Sequence, residues 1–258
     1  MTDSILVNRE AAVMTLTFNR LTKKNAITTA MYASMAQALE EAAVDDNVRV
    51  AVIQGAVEIF TAGNDLVDFM SNPPVSGPNG ELPPVVRFLN IIRDFPKPLL
   101  AAVAGPAVGI GTTLLLHCDL VYAGDNAAFS LPFVNLGVCA EGGSSLLLPQ
   151  LVGYQRAAEK LLLGEAFYAE EALDMGLVNR IVPPAEVNSY TQAQALKLAA
   201  KPAASLRATK ALMKLPQTQL AGIMTEEIKQ FASLLSGPAA TEAISAVMQK
   251  RKPDFSKL

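Results

Sequence analysis

The chain has 258 residues, 51% apolar and 17% charged, which suffices for one large domain with a substantial core, or for a domain with a smaller lobe. A formal net charge of −3 and the lack of a long basic run argue against a nucleic-acid-binding surface. Two cysteines without CxxC spacing and a single histidine, His117, are too few ligands for a zinc site, so we expect no metal.

The first part of the sequence alternates between strand and helix patterns. Residues 12–18 alternate between two faces, which predicts a strand, and the pair Thr28-Thr29 can cap a helix whose apolar positions are spaced by three or four. The patterns that follow predict strands at Val48–Ile53, Leu99–Val103 and Leu120–Tyr122, and a helix at Thr112–Leu116. This alternation predicts an α/β core, which we place at residues 1–184.

One uncharged stretch, residues 98–118, is long enough to raise the question of a membrane span. Four residues that break helices, Gly105, Pro106, Gly109 and Gly111, lie close together in its middle. A spanning helix tolerates fewer breakers, so the stretch favours a buried strand, a turn and a buried helix. We therefore expect no membrane segment.

Residues 71–84 differ from their surroundings in composition, because five of these fourteen residues are prolines and two are glycines. Such a composition excludes regular structure and predicts a loop. A loop of this length is either a mobile lid over a site or a plain surface loop, and the sequence does not choose between them.

Strand patterns end near residue 185, and helix patterns replace them. The predicted helices cover residues 186–199, 203–213, 219–235 and 239–250, with Gly237-Pro238 separating the last two. We interpret residues 185–258 as a helical C-terminal lobe rather than as a separate domain.

Two glycine-bearing segments lie at predicted turns between strands and helices: FTAGNDL at Phe60–Leu66, and GPAVGIGTTLLLHCD at Gly105–Asp119. Glycine lets the backbone turn sharply and approach a ligand, and free N–H groups at the start of a helix favour negative charge. Two such turns can direct two N–H donors at one oxygen atom, which is the arrangement of an oxyanion hole. On the residues alone, tight structural turns remain the alternative interpretation.

Other catalytic motifs fit less well. A GxGxxG motif requires glycine at position 114, where the chain has Leu114, and GGSSL at Gly142–Leu146 lacks the spacing of a nucleophile elbow. A Ser-His-Asp triad would have to use His117, whose apolar neighbours favour a structural hydrogen bond instead.

The two glycine-bearing segments resemble the signatures of the crotonase (enoyl-CoA hydratase/isomerase) superfamily, and PKPLLAAVAG, AAFSLPFVNLGV and the terminal KRKPDFSKL also fit. The resemblance implies a crotonase-like α/β fold of repeated ββα units with a helical C-terminal lobe used for trimerisation. It implies an acyl-CoA thioester as substrate and a homotrimer or a dimer of trimers. It implies no separate cofactor, because coenzyme A is part of the substrate.

The resemblance also implies roles for individual residues. The backbone N–H groups of Asn64 and Ile110 take the positions of the two oxyanion donors, which stabilise the enolate of a thioester. Because backbone groups do this work, the side chains of Asn64 and Ile110 need not matter. The positions implied in substrate binding are Ala62, Gly63, Asp65, Leu66, Phe133 and Leu136.

The reaction is indicated by which carboxylates are present. The two glutamates of the hydratases correspond here to Thr113 and Phe133, neither of which activates water as a carboxylate pair does. Glu141, in NLGVCAEGGSS, takes the position of the single catalytic glutamate of Δ3,Δ2-enoyl-CoA isomerases, especially those of the peroxisomal type. We expect the apolar residues near it in sequence to raise its pKa: Phe133, Val134, Leu136, Val138 and Leu146.

The leading hypothesis is therefore an isomerase that converts 3-enoyl-CoA to 2-enoyl-CoA with Glu141 as its proton carrier. One alternative is an enoyl-CoA hydratase or another acyl-CoA lyase with different acid and base groups. Another is a catalytically silent acyl-CoA-binding protein. For Glu141 itself, the alternative is a carboxylate that interacts with the N-terminus of the following helix.

Two further expectations concern assembly and location. Apolar positions of the C-terminal lobe can serve trimerisation or pack within one chain: Ile223, Ile228, Phe231, Leu234 and Leu235. The terminal Ser256-Lys257-Leu258 matches a peroxisomal address, whereas a bacterial source would place the protein in the cytoplasm.

Overall fold

A computed structural model describes residues 3–73, 80–215, 218–256 and 258, and arranges them as two β-sheets with helices packed around them. Within these residues the strands are β1 (Ile5–Glu10), β2 (Val13–Phe18), β3 (Val50–Gln54), β4 (Leu99–Val103), β5 (Pro106–Val108), β6 (Leu120–Gly124), β7 (Ala128–Ser130), β8 (Phe167–Tyr168) and β9 (Arg180–Val182). The strands predicted from the sequence correspond to β2, β3, β4 and β6. The short strands β5, β7, β8 and β9 lack an alternation long enough to predict them.

The helices in the described part of the chain are α1 (Thr29–Val44), α2 (Leu66–Ser71), α3 (Pro84–Asp94), α4 (Ile110–Thr113), α5 (Ser144–Val152), α6 (Tyr154–Leu163), α7 (Ala169–Asp174), α8 (Val187–Ala199), α9 (Ala203–Lys214), α10 (Leu220–Leu235) and α11 (Pro238–Met248). The predicted cap of α1 is confirmed, because the Thr28 hydroxyl accepts a hydrogen bond from the Met31 N–H at 3.3 Å. The four predicted C-terminal helices are also present, as α8 to α11. The loop predicted at 71–84 lies partly at residues 74–79, outside the described residues.

The larger sheet has the strand order β1-β2-β3-β4-β6-β9, with β1 antiparallel to β2 and the other neighbours parallel. Alternate residues of its strands face two different apolar clusters. Leu16 of β2 and Ile53 of β3 belong to the main core, whereas Val13 and Val52 pack in a second cluster that includes Ala195 of α8. The sheet is thus covered on both faces, as expected for a parallel sheet.

The first helix after residue 185 therefore packs on the sheet, where Tyr190 of α8 makes an edge-to-face contact with Tyr122 of β6. The later helices α10 and α11 pack against α5 and the turn at Val134–Leu136. The division at residue 185 into core and lobe remains a prediction.

The uncharged stretch at 98–118 forms β4, β5 and α4 followed by a short 3₁₀ turn. The predicted buried strand and buried helix are confirmed as β4 and α4, and the chain between them also forms the short strand β5, which was not predicted. Its glycines divide it, as the composition indicated. Among the described residues, no helix has the length and apolar character needed to cross a membrane.

Candidate active site

Two neighbouring parallel strands bring the glycine-bearing segments to one edge of the larger sheet. β3 pairs with β4 in parallel, with Ala51 opposite Leu99. One glycine-bearing segment lies beyond the end of each strand. The carboxyl ends of parallel strands meet at one edge, where ligands commonly bind in open α/β sheets. The fold therefore places the two turns side by side.

Main-chain hydrogen bonds join the two segments directly. The Thr61 N–H donates to the Pro106 carbonyl at 3.0 Å, and the Val108 N–H donates to the Thr61 carbonyl at 3.1 Å. Gly63 has a φ of +85°, and a Cβ atom there would lie 2.8 Å from the Val108 carbonyl oxygen. Position 63 therefore requires glycine, both for its left-handed backbone and for the close approach of the second segment.

Gly109 turns the second segment into α4. Its φ of 56° and ψ of −115° form a combination that residues with a side chain rarely adopt. Ile110 is the first residue of α4, so its N–H has no partner within the helix. Neither this N–H nor that of Asn64 donates a hydrogen bond to any residue in the described ranges. The two predicted oxyanion donors are thus both available to a ligand.

Asn64 and Ile110 line the same large cavity, which has a volume of about 740 Å³. Most of the residues implied in substrate binding share its wall, namely Ala62, Gly63, Leu66, Phe133 and Leu136. Among the described residues that line the cavity, none is charged, and the polar side chains are those of Asn64 and Asn135. The cavity is therefore apolar, an environment in which a free N–H group is a strong hydrogen-bond donor.

Asp65 is not part of this wall. Its carboxylate accepts a hydrogen bond from the Arg20 guanidinium at 2.7 Å and one from the Asp68 N–H at 3.2 Å, which caps α2. The structure therefore does not bring Asp65 together with the other implied binding residues, and its role in binding remains a prediction.

Glu141 is buried, with 8% of its surface exposed, and the Thr113 hydroxyl donates to its Oε1 atom at 2.6 Å. The pKa of Glu141 is raised from 4.5 to about 8, chiefly by burial and to a smaller extent by the charge of Glu227, while the hydrogen bond from Thr113 lowers it. Both the ionised and the protonated forms of Glu141 are therefore accessible near neutral pH, as general acid–base catalysis requires.

The surroundings of Glu141 differ from those predicted. Its side chain lines a separate small cavity of about 20 Å³ whose apolar wall comes from α2, α3 and α10: Phe69, Val85, Val86, Leu89, Ile228 and Phe231. Of the predicted neighbours, Phe133, Leu136 and Val138 line the large cavity instead. Helices distant in sequence pack against Glu141, which a local sequence pattern cannot reveal.

The large cavity and the Glu141 cavity share three wall residues, Asn64, Phe69 and Phe231. The rings of Phe69 and Phe231 meet edge to face with their centroids 5.9 Å apart. The two cavities are therefore adjacent, and Asn64, which carries one of the two free N–H groups, borders both of them.

The interpretation of Glu141 as a helix N-terminal carboxylate finds no support in the geometry. The N–H groups of Gly143 and Ser145, at the start of α5, donate to the carboxylate of Glu227 at 2.6 and 3.0 Å. Within the described ranges, Thr113 is the only hydrogen-bond donor to the Glu141 carboxylate. The capping role belongs to Glu227, so the carboxylate of Glu141 is available for chemistry.

His117 has the structural role that its sequence context favours. The ring is buried, and its Nε2 atom lies 2.7 Å from the Gly142 carbonyl oxygen. Burial lowers the pKa of His117 to about 4, so the neutral ring donates this hydrogen bond. The contact supports the turn beside Glu141.

Comparison with known sequences decides the family. The sequence model described as Enoyl-CoA hydratase/isomerase matches residues 8–257. The chain belongs to this family. The crystal structure of an enoyl-CoA hydratase/isomerase from Pseudoalteromonas atlantica T6c agrees, with a TM-score of 0.91 and 37% identity, covering 98% of this chain and 100% of that one. The crotonase-like fold implied by the resemblance is confirmed, and the protein is an enzyme of the enoyl-CoA hydratase/isomerase family.

Relatives within the family carry different reaction names. Enoyl-CoA delta isomerase 2 of Rattus norvegicus is 38% identical over 253 residues, which are 96% of this chain but 64% of the rat protein. The 2,3-dehydroadipyl-CoA hydratase of Escherichia coli is 35% identical over 252 residues, which are 97% of this chain and 98% of that protein. The chain thus spans less than two thirds of the rat relative's length. Family membership alone therefore does not choose between isomerase and hydratase.

Sequence reasoning misses several residues that shape this family member's site. The Tyr32 hydroxyl donates to the Asn64 Oδ1 atom at 2.5 Å, so the side chain of Asn64 is fixed, although the resemblance assigns a role only to its backbone. Glu227 and Phe231 come from α10, where the helix pattern marks an apolar stripe but gives no signal for a buried carboxylate. Only long-range contacts identify these residues.

Proposed function

We propose that this enzyme moves the double bond of a 3-enoyl-CoA thioester to give the 2-enoyl-CoA, with Glu141 as its only proton carrier. The observation that carries the proposal is the position of Glu141. It is a buried carboxylate with a raised pKa. The small cavity that it lines shares the wall residue Asn64 with the cavity of the two free N–H groups. A single base beside an oxyanion hole matches the chemistry of this isomerisation.

In the proposed mechanism, the thioester oxygen of the substrate accepts hydrogen bonds from the N–H groups of Asn64 and Ile110. The ionised carboxylate of Glu141 removes a proton from C2, and the electron pair moves through the conjugated system to the thioester oxygen. The two donors stabilise this dienolate in an apolar cavity. Glu141, now protonated, returns the proton to C4, which leaves the double bond between C2 and C3 and restores the carboxylate.

The raised pKa of Glu141 supports this role in both half-reactions. A carboxylate with a pKa of about 8 accepts a proton from carbon more readily than one with an ordinary value, because it is the stronger base. Its carboxylic acid form is also populated near neutral pH, so it can deliver the proton to C4. The Thr113 hydroxyl, which donates to Oε1, orients the carboxylate.

A hydratase is the second candidate, because the E. coli hydratase matches nearly the whole chain. Two features speak against it. The positions of the hydratase glutamates hold Thr113, which donates to Glu141, and Phe133, which lines the apolar cavity. The name 2,3-dehydroadipyl-CoA indicates a substrate that carries a second carboxylate. Among the described residues, the cavity has no charged side chain that could bind such a group. A catalytically silent role is opposed by the burial of the Glu141 carboxylate, which has no cationic partner among the described residues.

The substrate class can be tested with two thioesters offered separately to the purified enzyme, 3-hexenoyl-CoA and 2-hexenoyl-CoA. We expect the first to be converted to 2-hexenoyl-CoA. The product is detected by the absorbance of the conjugated thioester and by its chromatographic retention, compared with standards of both isomers. We expect little addition of water to the second, because the two positions of the hydratase glutamates hold Thr113 and Phe133. Rapid hydration of 2-hexenoyl-CoA without conversion of 3-hexenoyl-CoA would contradict the proposal.

The oxyanion hole can be tested with Gly63→Ala, whose Cβ atom would lie 2.8 Å from the Val108 carbonyl. Because the new methyl group separates the two segments, we expect the turnover number to fall about a hundredfold. The measurement is kcat for isomerisation, with the melting temperature recorded to establish that the variant is folded.

The matched control for Gly63→Ala is Gly222→Ala. Gly222 lies within α10, and a Cβ atom there meets no heavy atom within 4 Å. We expect this control to be as active as the wild type and equally or more stable, because alanine has a higher helix propensity than glycine. Wild-type activity in Gly63→Ala would show that catalysis does not require the close approach of the two glycine-bearing segments.

Assembly as a homotrimer or dimer of trimers remains a proposal by family resemblance. Three of the apolar positions considered for trimerisation face the interior of this chain, because Ile228, Phe231 and Leu235 line the two cavities. The compartment also remains a prediction, and Lys257 of the terminal tripeptide lies outside the described residues.

A further inference from the structure

A second buried carboxylate lies close to Glu141. Glu227 belongs to α10 and has 7% of its surface exposed. Its Oε2 atom accepts the Gly143 N–H at 2.6 Å, and its Oε1 atom accepts the Ser145 N–H at 3.0 Å and the Ser145 hydroxyl at 2.5 Å. Three donors therefore hold one carboxylate of the C-terminal helices against the start of α5.

The start of α5 is also the segment that carries Glu141. The Glu141 carbonyl accepts hydrogen bonds from the Ser144 N–H at 3.1 Å and from the Ser144 hydroxyl at 2.7 Å. Between them, Gly142 and Gly143 have φ values of +66° and +77°, so this turn depends on left-handed backbone at two consecutive positions. Hydrogen bonds thus tie the main chain of Glu141 to the start of α5.

We infer that Glu227 is a positioning residue of the reaction, which anchors the turn carrying Glu141 and places a second negative charge beside the catalytic carboxylate. The inference rests on the proposed function of Glu141. Glu227 acts through Glu141, because its own carboxylate is engaged by the three donors and does not line either cavity described above.

The other titratable groups near Glu141 do not supply this charge. Tyr32 of α1 is buried, and burial together with the charge of Glu141 raises its pKa well above 10, so it is neutral. Cys139 has a pKa raised by burial and by the two glutamates, and is also neutral. His117, which contacts Gly142, is neutral because burial lowers its pKa to about 4. Glu227 is the charged group that raises the pKa of Glu141.

Glu227→Gln removes the charge and keeps an oxygen acceptor, and Glu226→Gln is its matched control. Glu226 lies next to it on α10, with 58% of its side chain exposed, where it contacts Gln230 and Lys229.

The titration of Glu141 can be followed by carbon-13 NMR of protein labelled at the glutamate carboxyl carbon, with Glu141→Gln identifying the signal. This readout does not require turnover.

We expect the titration of Glu141 to move to lower pH by about half a pH unit or more in Glu227→Gln, because a neighbouring negative charge is removed. We also expect kcat at high pH to fall severalfold with less than a twofold change in KM, because the carboxylate is less well positioned. Glu226→Gln leaves both quantities at their wild-type values. A Glu141 titration that coincides in the two variants overturns the inference, whatever their melting temperatures.

If Glu227→Gln does not fold, Ser145→Ala carries the test, because it removes one of the three donors and leaves both glutamates in place. A severalfold loss in kcat at unchanged KM is then expected, and wild-type kcat overturns the inference. Failure of the proposed function gives a different result. In that case Glu141→Gln retains activity, while the NMR titration still reports whether Glu227 acts on Glu141.

Discussion

Glu141→Gln is expected to lower kcat for isomerisation of 3-enoyl-CoA by about a thousandfold, within the range that general acid–base groups contribute. Glutamine has the size of glutamate and can still accept the hydrogen bond from Thr113, so the site should keep its shape. KM should therefore change less than about threefold, because the loss lies in proton transfer and not in binding. Steady-state kinetics with 3-hexenoyl-CoA measures both constants.

Proton removal can be separated from the other steps by running the reaction in deuterium oxide. In the wild type, deuterium should enter substrate and product to the extent that protonated Glu141 exchanges with solvent before it returns the proton. Glu141→Gln should introduce none, because it cannot remove the proton from C2. Glu170→Gln, an exposed glutamate near the start of α7, is the matched control and should retain wild-type activity. Isomerisation by Glu141→Gln at the wild-type rate would show that another group moves the proton.

The same substitution should stabilise the folded protein at high pH. The pKa of Glu141 is about 8 in the folded state, against 4.5 as its ordinary value, because burial disfavours the charged form. The native state therefore binds a proton more tightly than the unfolded chain. The favourable contribution of this group is complete below about pH 4.5 and is lost as the pH rises through about 8. At full effect the loss is up to about 5 kcal/mol of unfolding free energy.

Glutamine at position 141 does not ionise, so the difference in stability between Glu141→Gln and the wild type should grow from pH 5 to pH 9. Urea unfolding at several pH values measures this difference. Most other titrating groups contribute equally to the unfolding free energy of both proteins, so their contributions cancel in the comparison. Glu170→Gln again serves as the control, and its difference from the wild type should not depend on pH in this way. A constant difference for Glu141→Gln would show that Glu141 titrates normally in the folded protein.

These two predictions describe opposite consequences of one buried carboxylate. The enzyme gains a base with a raised pKa and loses stability at the pH where that base is ionised, a common relation between function and stability. The C-terminal helices take part in this balance. α10 supplies Glu227, Ile228 and Phe231 to the surroundings of Glu141. The helical lobe predicted from the sequence is therefore also part of the candidate site.

Local patterns account for what the sequence predicted correctly. The alternation at 12–18, the capped helix after Thr28 and the break of 98–118 into strand, turn and helix depend on residues close together in the chain. The glycine-bearing segments could likewise be predicted to form tight turns. Gly63 and Gly109 do adopt backbone conformations that favour glycine. Their meeting at one edge of the sheet follows from β3 and β4 being parallel neighbours.

By itself, the sequence determined the α/β pattern, the two glycine turns, the identity of Thr113 and Phe133 where the hydratases have glutamates, and the presence of Glu141. Only the tertiary structure decided what surrounds Glu141. Thr113, 28 residues away, donates to its carboxylate, and Glu227 caps α5 across a separation of 84 residues. The pKa of a carboxylate depends on burial and nearby charge, and both come from residues that only folding brings together.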